Sequence, residues 1–171
     1  LDTEREWARI RSAFATLEAQ DVARVVRLPR NTLAELGKYI ARHPVHVLHF
    51  IGHGHFDVET QRGYLIFEDE TGGSAPVSGD ELLQQIPTRN DLLLVFLNSC
   101  EGATGSGEES FAGVAQTLVL GGVPAAVAMQ FAISDSAAAV FAPEFYQAFV
   151  GGAAVDQAMI QARRALAATP K

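Results

Sequence analysis

All five histidines of this 171-residue chain fall between His43 and His55, and the chain contains a single cysteine, Cys100. A histidine cluster is first of all a possible metal site. In an extended segment, however, His46 and His49 point to opposite faces, because side chains alternate along a strand. The sequence offers no second cysteine and no H-E-x-x-H pattern to complete a ligand set. We therefore expect no metal centre and no other cofactor.

His53 and Cys100 have types and positions that suit nucleophilic catalysis. His53 is bracketed by glycines after the apolar segment 45–51, and Cys100 follows the apolar segment 91–98. If these segments are neighbouring parallel strands, about 4.8 Å apart, the thiolate can act as nucleophile and the imidazole as general acid and base. The backbone amides of Gly54 and Cys100 flank the same space and are predicted to stabilise an oxyanion.

Each of these two residues also has an ordinary structural interpretation. A cysteine at the end of a strand is most often packed in the core, and a histidine beside glycine most often lies in a solvated turn. The combination of both at the ends of two strands favours the catalytic interpretation.

The hydrophobic pattern predicts alternating strands and helices. Helices are expected over 3–19, 32–42, 79–86, 109–120, 136–149 and 154–167, and strands over 22–28, 45–51, 91–98 and 123–129. The segments 63–69 and 76–78 flank a Thr-Gly-Gly turn and predict a hairpin or flap. Pro143 is expected to kink or split its helix. Such alternation indicates a mostly parallel sheet, with sites beyond the carboxyl ends of its strands.

Composition excludes several classes of protein. The chain is 48% apolar with a formal net charge of −7 and has no cluster of basic residues, so we expect one folded domain over residues 1–171 and no nucleic-acid or membrane partner. The uncharged stretch 110–134 is long enough to span a bilayer. Gly121, Gly122 and Pro124 interrupt it and predict a helix followed by a buried strand instead. The absence of a leader and the single cysteine predict a cytoplasmic protein.

Two segments resemble the CHAT domain, a caspase-like peptidase family often joined to tetratricopeptide repeats. They are 45–54, with the sequence VHVLHFIGHG, and 96–100, with the sequence FLNSC. The resemblance continues through Gly63-Tyr64-Leu65, Val77-Ser78, 122–129, Phe145-Tyr146 and the closing helix 158–167, and so covers nearly the whole chain. It implies an α/β fold, a three-layer αβα sandwich of caspase-like type. CHAT domains usually open with a further strand, which we expect to be missing here. We also expect the chain to be part of a longer multidomain protein.

The spacing of the two motifs also resembles the wider group of caspase-like peptidases. Their histidine lies about 50 residues before a Q-A-C-x-G signature. Here Cys100 follows His53 by 47 positions, Gly102 keeps the last part of the signature, and Asn98-Ser99 replaces Gln-Ala. The resemblance implies a cysteine endopeptidase with Cys100 as nucleophile and His53 as general acid and base. It implies a peptide or protein substrate, and regulation by a sensor or tetratricopeptide-repeat module in the same chain or complex.

The resemblance also suggests residues for the substrate pocket. Gln130, which stands where the family commonly has Trp, Phe131 and Asp135 follow the strand predicted at 123–129. Asp135 either selects a basic substrate residue or caps a helix, and its position between two serines favours the cap. Two alternatives to a peptidase remain: a catalytically silent module that binds an extended peptide, and an enzyme that transfers the acyl group to an acceptor other than water.

Overall fold

The computed structural model describes residues 3–87, 91–99, 107–128 and 135–168. The helices are α1 (Thr3–Ala19), α2 (Leu33–Ile40), α3 (Gly79–Gln84), α4 (Gly107–Leu120), α5 (Asp135–Val150) and α6 (Val155–Ala168). The strands are β1 (Val47–Gly52), β2 (Gly54–Asp57), β3 (Arg62–Glu68), β4 (Ser74–Ser78), β5 (Leu94–Ser99) and β6 (Ala125–Ala128). These elements form two compact units, one with α1, α5 and α6 and one with all six strands and α2 to α4.

The first sheet is parallel, with the strand order β1-β5-β6. β5 is its central strand, and the side chains of Leu94, Val95, Phe96 and Leu97 are at most 1% exposed. A continuous apolar run is typical of a strand that is buried on both faces. The parallel sheet with its helices confirms the predicted α/β class and is compatible with an αβα sandwich. The absence of a further first strand and the organisation of residues 1–171 as a single domain stay predictions.

The second sheet is antiparallel, with the strand order β2-β3-β4. β3 and β4 confirm the predicted hairpin, and Asp69 shapes its turn by accepting hydrogen bonds from the N–H groups of Thr71 (2.7 Å) and Gly73 (2.8 Å). No strand was predicted where β2 lies. β2 has four residues, two of them exposed or polar, so its strand character comes from pairing with β3 and not from a hydrophobic pattern.

The strand predicted over 22–28 is wrong, because this segment is irregular in the structure. Its β-branched pattern has no strand partner among the described residues, and Val22 and Val26 are 68% and 39% exposed. The segment instead folds back on α1: the N–H of Val22 donates to the carbonyl of Leu17 (2.9 Å), and that of Val25 donates to Glu18 Oε1 (3.0 Å). A strand requires a hydrogen-bonded neighbour, and β propensity does not supply one.

One hydrophobic core joins both sheets to α4. Its members come from the two sheets, from the helices α2, α3 and α4, and from the segments just before β5 and β6. They are Leu36, Ile40, Phe50, Leu65, Phe67, Val77, Leu82, Leu92, Val95, Leu97, Phe111, Val114, Leu118 and Val123. This shared core fixes the antiparallel sheet beside the end of β1, where β2 follows after one residue.

The other compact unit is helical. The rings of Phe14 in α1 and Tyr146 in α5 are 5.3 Å apart, and α6 packs through the fully buried Ala158 and Ala162. α5 runs through Pro143 as one helix, so it is not split there, and a kink at the proline stays a prediction.

The uncharged stretch 110–134 begins in a helix and continues in a strand, as predicted. α4 ends at Leu120, Gly122 turns the chain with a φ of +101°, and β6 begins at Ala125. Within the described part of the chain, none of the helices combines the length and apolar character that a membrane span needs. The cytoplasmic location stays a prediction.

Candidate active site

The ends of β1 and β5 lie side by side. The two strands are parallel neighbours, and their register places Gly52 opposite Ser99. Each of these residues directly precedes a predicted catalytic residue, His53 or Cys100. The expected adjacency of the two strands is therefore confirmed. Cys100 itself lies outside the described residues, so the roles of its thiol and its amide stay predictions.

Gly52 brings the core into contact with the end of β1. A Cβ atom added there would lie 2.5 Å from Cζ and 2.6 Å from Cε1 of Phe50, a distance that real Cβ atoms essentially never show. The Phe50 ring is 6% exposed and lies 5.3 Å from the ring of Phe67, centroid to centroid. The absence of a side chain at Gly52 lets this ring pack beneath the residue that leads into His53.

His53 is anchored through its backbone and exposed through its side chain. Its carbonyl oxygen accepts a hydrogen bond of 2.9 Å from the N–H of Ile66 in β3. The residue as a whole is solvent-exposed. A backbone fixed by the neighbouring sheet together with an accessible imidazole is what a general acid and base requires.

Gly54 is the first residue of β2 and the predicted oxyanion donor. Its register partner is Leu65, and the bond between Ile66 and His53 makes this a non-hydrogen-bonded pair of the antiparallel ladder. In such a pair both N–H groups point away from the opposite strand. The N–H of Gly54 therefore points away from β3 and is not used in pairing with that strand.

The histidines do not converge on one point. His43 lies against Tyr39, with ring centroids 4.4 Å apart, and His49 stacks on Phe96 at 4.7 Å and an interplanar angle of 10°. Among the described residues there is no group of three or more His, Cys, Asp or Glu side chains that could hold a metal ion. The aromatic contacts give His43 and His49 packing roles.

The predicted pocket residues fall at the limit of what the structure describes. Gln130 and Phe131 lie outside the described residues, so their roles stay predictions. Asp135 is the first residue of α5. Its interpretation as a helix cap and its role in selecting a basic substrate residue both stay predictions.

The position of the antiparallel sheet beside His53 was not predicted. Tyr64 and Ile66 of β3 lie on the face opposite to the core, and the ring of Tyr64 is 6.4 Å from that of His55. A detectable signal was present in β3, where Gly63, Leu65 and Phe67 alternate with these two residues. The unpredicted part was β2, which connects His53 to this sheet.

The turns at the ends of this sheet are fixed by two carboxylates. The hydroxyl of Thr60 donates to Asp57, which lowers the pKa of that carboxyl below its ordinary value, and the N–H of Glu59 adds to the effect. The hydroxyl of Thr71 lowers the pKa of Asp69 in the same way. Both carboxylates are therefore charged at neutral pH and hold the loops that connect β2 to β3 and β3 to β4.

One family model accounts for nearly the whole chain. The model of the CHAT domain matches residues 2–171. No curated protein matches the chain. The match agrees with the resemblance of the two strand-end motifs and with the parallel pairing of β1 and β5. The chain belongs to the CHAT domain family, a family of caspase-like peptidases.

Proposed function

We propose that this CHAT domain is a cysteine endopeptidase that uses Cys100 as nucleophile and His53 as general acid and base. The observation that carries the proposal is the parallel pairing of β1 with β5, in which Gly52 lies opposite Ser99. This register brings the ends of the two strands to the same edge of the sheet. A nucleophile and a base within reach of each other are the minimum that covalent catalysis of acyl transfer needs.

The reaction follows from the chemistry of these groups. The Cys100 thiolate forms a bond to the carbonyl carbon of the substrate, and the carbonyl electron pair moves to the oxygen. The N–H groups of Gly54 and Cys100 donate to this oxyanion. When the oxyanion collapses, the carbon–nitrogen bond breaks, His53 protonates the leaving amine, and a thioester remains. Water then attacks the thioester while His53 accepts one of its protons. The carbon–sulfur bond breaks, which releases the acid product and restores the Cys100 thiolate and the protonated His53.

Two features of the described residues support these roles. The imidazole of His53 is exposed, so a substrate amine can reach it. The N–H of Gly54 points away from β3, so pairing with that strand does not occupy it.

Regulation by another module forms part of the proposal. A sensor or tetratricopeptide-repeat module, in the same polypeptide or in a complex, orders the site and activates cleavage. The support is the family itself, since CHAT domains resemble one another in being joined to such modules. Equal peptidase activity with and without the module would contradict this part of the proposal.

Cleavage of internally quenched peptide libraries tests the proposed activity. Cys100→Ala should abolish cleavage, and His53→Ala should lower kcat by about 10²–10⁴-fold, the usual contribution of a general acid and base. His43→Ala is the matched control, because His43 is an exposed histidine that lies before β1, at the other end of that strand. Binding of peptides without cleavage, unaffected by Cys100→Ala, would favour a silent binding module instead.

A further inference from the structure

The face of the antiparallel sheet that points away from the core carries an apolar surface. In β3, Leu65 and Phe67 are 0% and 5% exposed and belong to the core. Side chains alternate along a strand, so Tyr64 and Ile66 lie on the opposite face, where both are only half-buried. Pro76 of β4 is the register partner of Ile66 and lies on the same face. We call Tyr64, Ile66 and Pro76 the outer face.

The outer face begins directly beside His53. The N–H of Ile66 donates to the carbonyl of His53 at 2.9 Å, and the register of β2 and β3 continues from Gly54 opposite Leu65 to His53 opposite Ile66. Residues directly opposite each other in an antiparallel pair have Cβ atoms about 5 Å apart. A group bound at the His53 imidazole therefore meets Ile66 next.

The proposed reaction determines which part of a substrate lies beside the outer face. Here the inference rests on the proposed function: His53 protonates the leaving amine, while the acyl part stays on Cys100. The residue that follows the scissile bond therefore lies on the His53 side. An extended peptide advances about 3.3 Å per residue, so the first leaving-side residue lies within reach of the outer face.

We propose that the outer face binds the side chain of the first residue after the scissile bond and selects a large apolar residue there. The contacting groups are an aromatic ring, a branched aliphatic chain and a proline ring. The charged side chains of this face lie at its two ends, where Arg62 pairs in register with Asp57, and Glu68 with Ser74. The exposed residues His53 and His55 also lie on this face, and the ring of His55 is 6.4 Å from that of Tyr64. An acidic or basic side chain packed against the apolar groups would lose part of its hydration, which costs binding energy.

A peptide library that varies only the first leaving-side residue tests this proposal. The test uses the full-length wild-type protein. It should cleave peptides with Leu or Phe at that position at least about tenfold faster than peptides with Gly or Asp. Ile66→Ala and Tyr64→Ala should reduce this preference severalfold. Ile66→Lys should shift the preference towards Asp, because the new ammonium group supplies a partner for a carboxylate.

Val58→Ala is the matched control for these truncations. Val58 is 68% exposed in the turn after β2 and does not belong to the outer face. Its truncation removes a similar apolar side chain and should leave the preference unchanged. A thermal melt shows whether Ile66→Lys is folded. If it is not, Ile66→Val replaces it in the test and should reduce the ratio of cleavage rates for Phe over Gly peptides.

A second reagent separates failure of this inference from failure of the proposed function. A peptidyl acyloxymethyl ketone carries no amino acid on the leaving side, so its reaction with Cys100 does not depend on the outer face. Normal labelling with an unchanged preference in the Ile66 and Tyr64 variants would overturn the outer-face proposal alone. Absence of labelling in the wild-type protein with the activating module present would overturn the proposed function and this inference with it.

Discussion

At the scale of single residues, Gly52 determines how well His53 is placed. The residue before the proposed general acid has no side chain, and the ring of Phe50 occupies the space that a Cβ would need. The next residue is His53, and its carbonyl oxygen accepts a hydrogen bond from the N–H of Ile66. The backbone at this point is therefore held between a core ring and a neighbouring sheet, so a small change at Gly52 acts directly on His53.

Gly52→Ala should reduce catalysis more than stability. A Cβ only 2.5 Å from Phe50 Cζ forces either the ring or the strand end to move. A misplacement of about 1 Å costs on the order of 10²-fold in rate, so we expect a fall of that size in kcat with a smaller effect on KM. Gly113→Ala in α4 is the control, because its nearest atom would be 3.7 Å away. Equal kcat values for the two variants would contradict this placement role of Gly52.

At the scale of elements, the predictable parts were those with a local signal. The apolar run of β5 predicted its strand correctly, because burial on both faces leaves a signal in adjacent residues. β2 and the segment 22–28 were missed or wrong because a strand depends on a distant partner. β2 has one in β3, and 22–28 has none among the described residues.

In the candidate site, too, only the parts with a local signal could be predicted. The strand ends after β1 and β5 could be predicted as neighbours, because parallel strands place their carboxyl ends at one edge. The outer face could not, because it requires the register of β2 with β3, which sets which side chains lie beside His53. Register follows from long-range pairing and from the turn around Asp57, not from the short sequence of β2.

Ser78→Ala should destabilise the protein through α3. The Ser78 hydroxyl accepts from the N–H of Glu81 (3.3 Å), and the Glu81 carboxylate accepts from the N–H of Ser78 (2.8 Å), which forms a capping box. Loss of such a cap costs about 1 kcal/mol of the free energy of unfolding, measured by urea denaturation. Ser78→Thr keeps the acceptor and should retain most of this stability. Equal losses in both variants would show that the cap is not the cause.

The capping box also predicts a dependence of stability on pH. The N–H and hydroxyl of Ser78 donate to Glu81 and lower the pKa of its carboxyl below the ordinary value of 4.5. The charged carboxylate therefore stabilises the fold above pH 4.5, and this contribution is lost as the pH falls through the lowered pKa. The difference in free energy of unfolding between wild type and Glu81→Gln should shrink between pH 6 and pH 3. A constant difference over this range would contradict the role of the carboxylate.

At the scale of the whole molecule, the unit that contains all six strands depends on one core shared by two sheets. Phe50 of the parallel sheet, Leu65 of the antiparallel sheet and Phe111 of α4 all belong to it. Pairing between strands does not join the two sheets, since each has its own ladder. We infer that their relative position, and with it the place of β2 beside the end of β1, depends on side-chain packing.

Leu65→Ala should therefore disturb both stability and the site. Leu65 is fully buried, and removal of a buried leucine side chain costs about 2–5 kcal/mol of the free energy of unfolding. Its register partner is Gly54, so any peptidase activity should fall as well. Leu120→Ala is the matched control, because Leu120 is 80% exposed, and its effect should stay within about 0.5 kcal/mol. A stability loss in Leu65→Ala no larger than in this control would refute the shared core.

The most direct measurement of the central claim is covalent labelling by a peptidyl acyloxymethyl ketone library, followed by intact-mass spectrometry and peptide mapping. We expect one adduct, at Cys100, and no adduct in Cys100→Ala. The adduct should form much more slowly in His53→Ala and at the wild-type rate in His43→Ala. An adduct that forms as fast in His53→Ala as in wild type, or no adduct at Cys100 with the activating module present, would contradict the central claim.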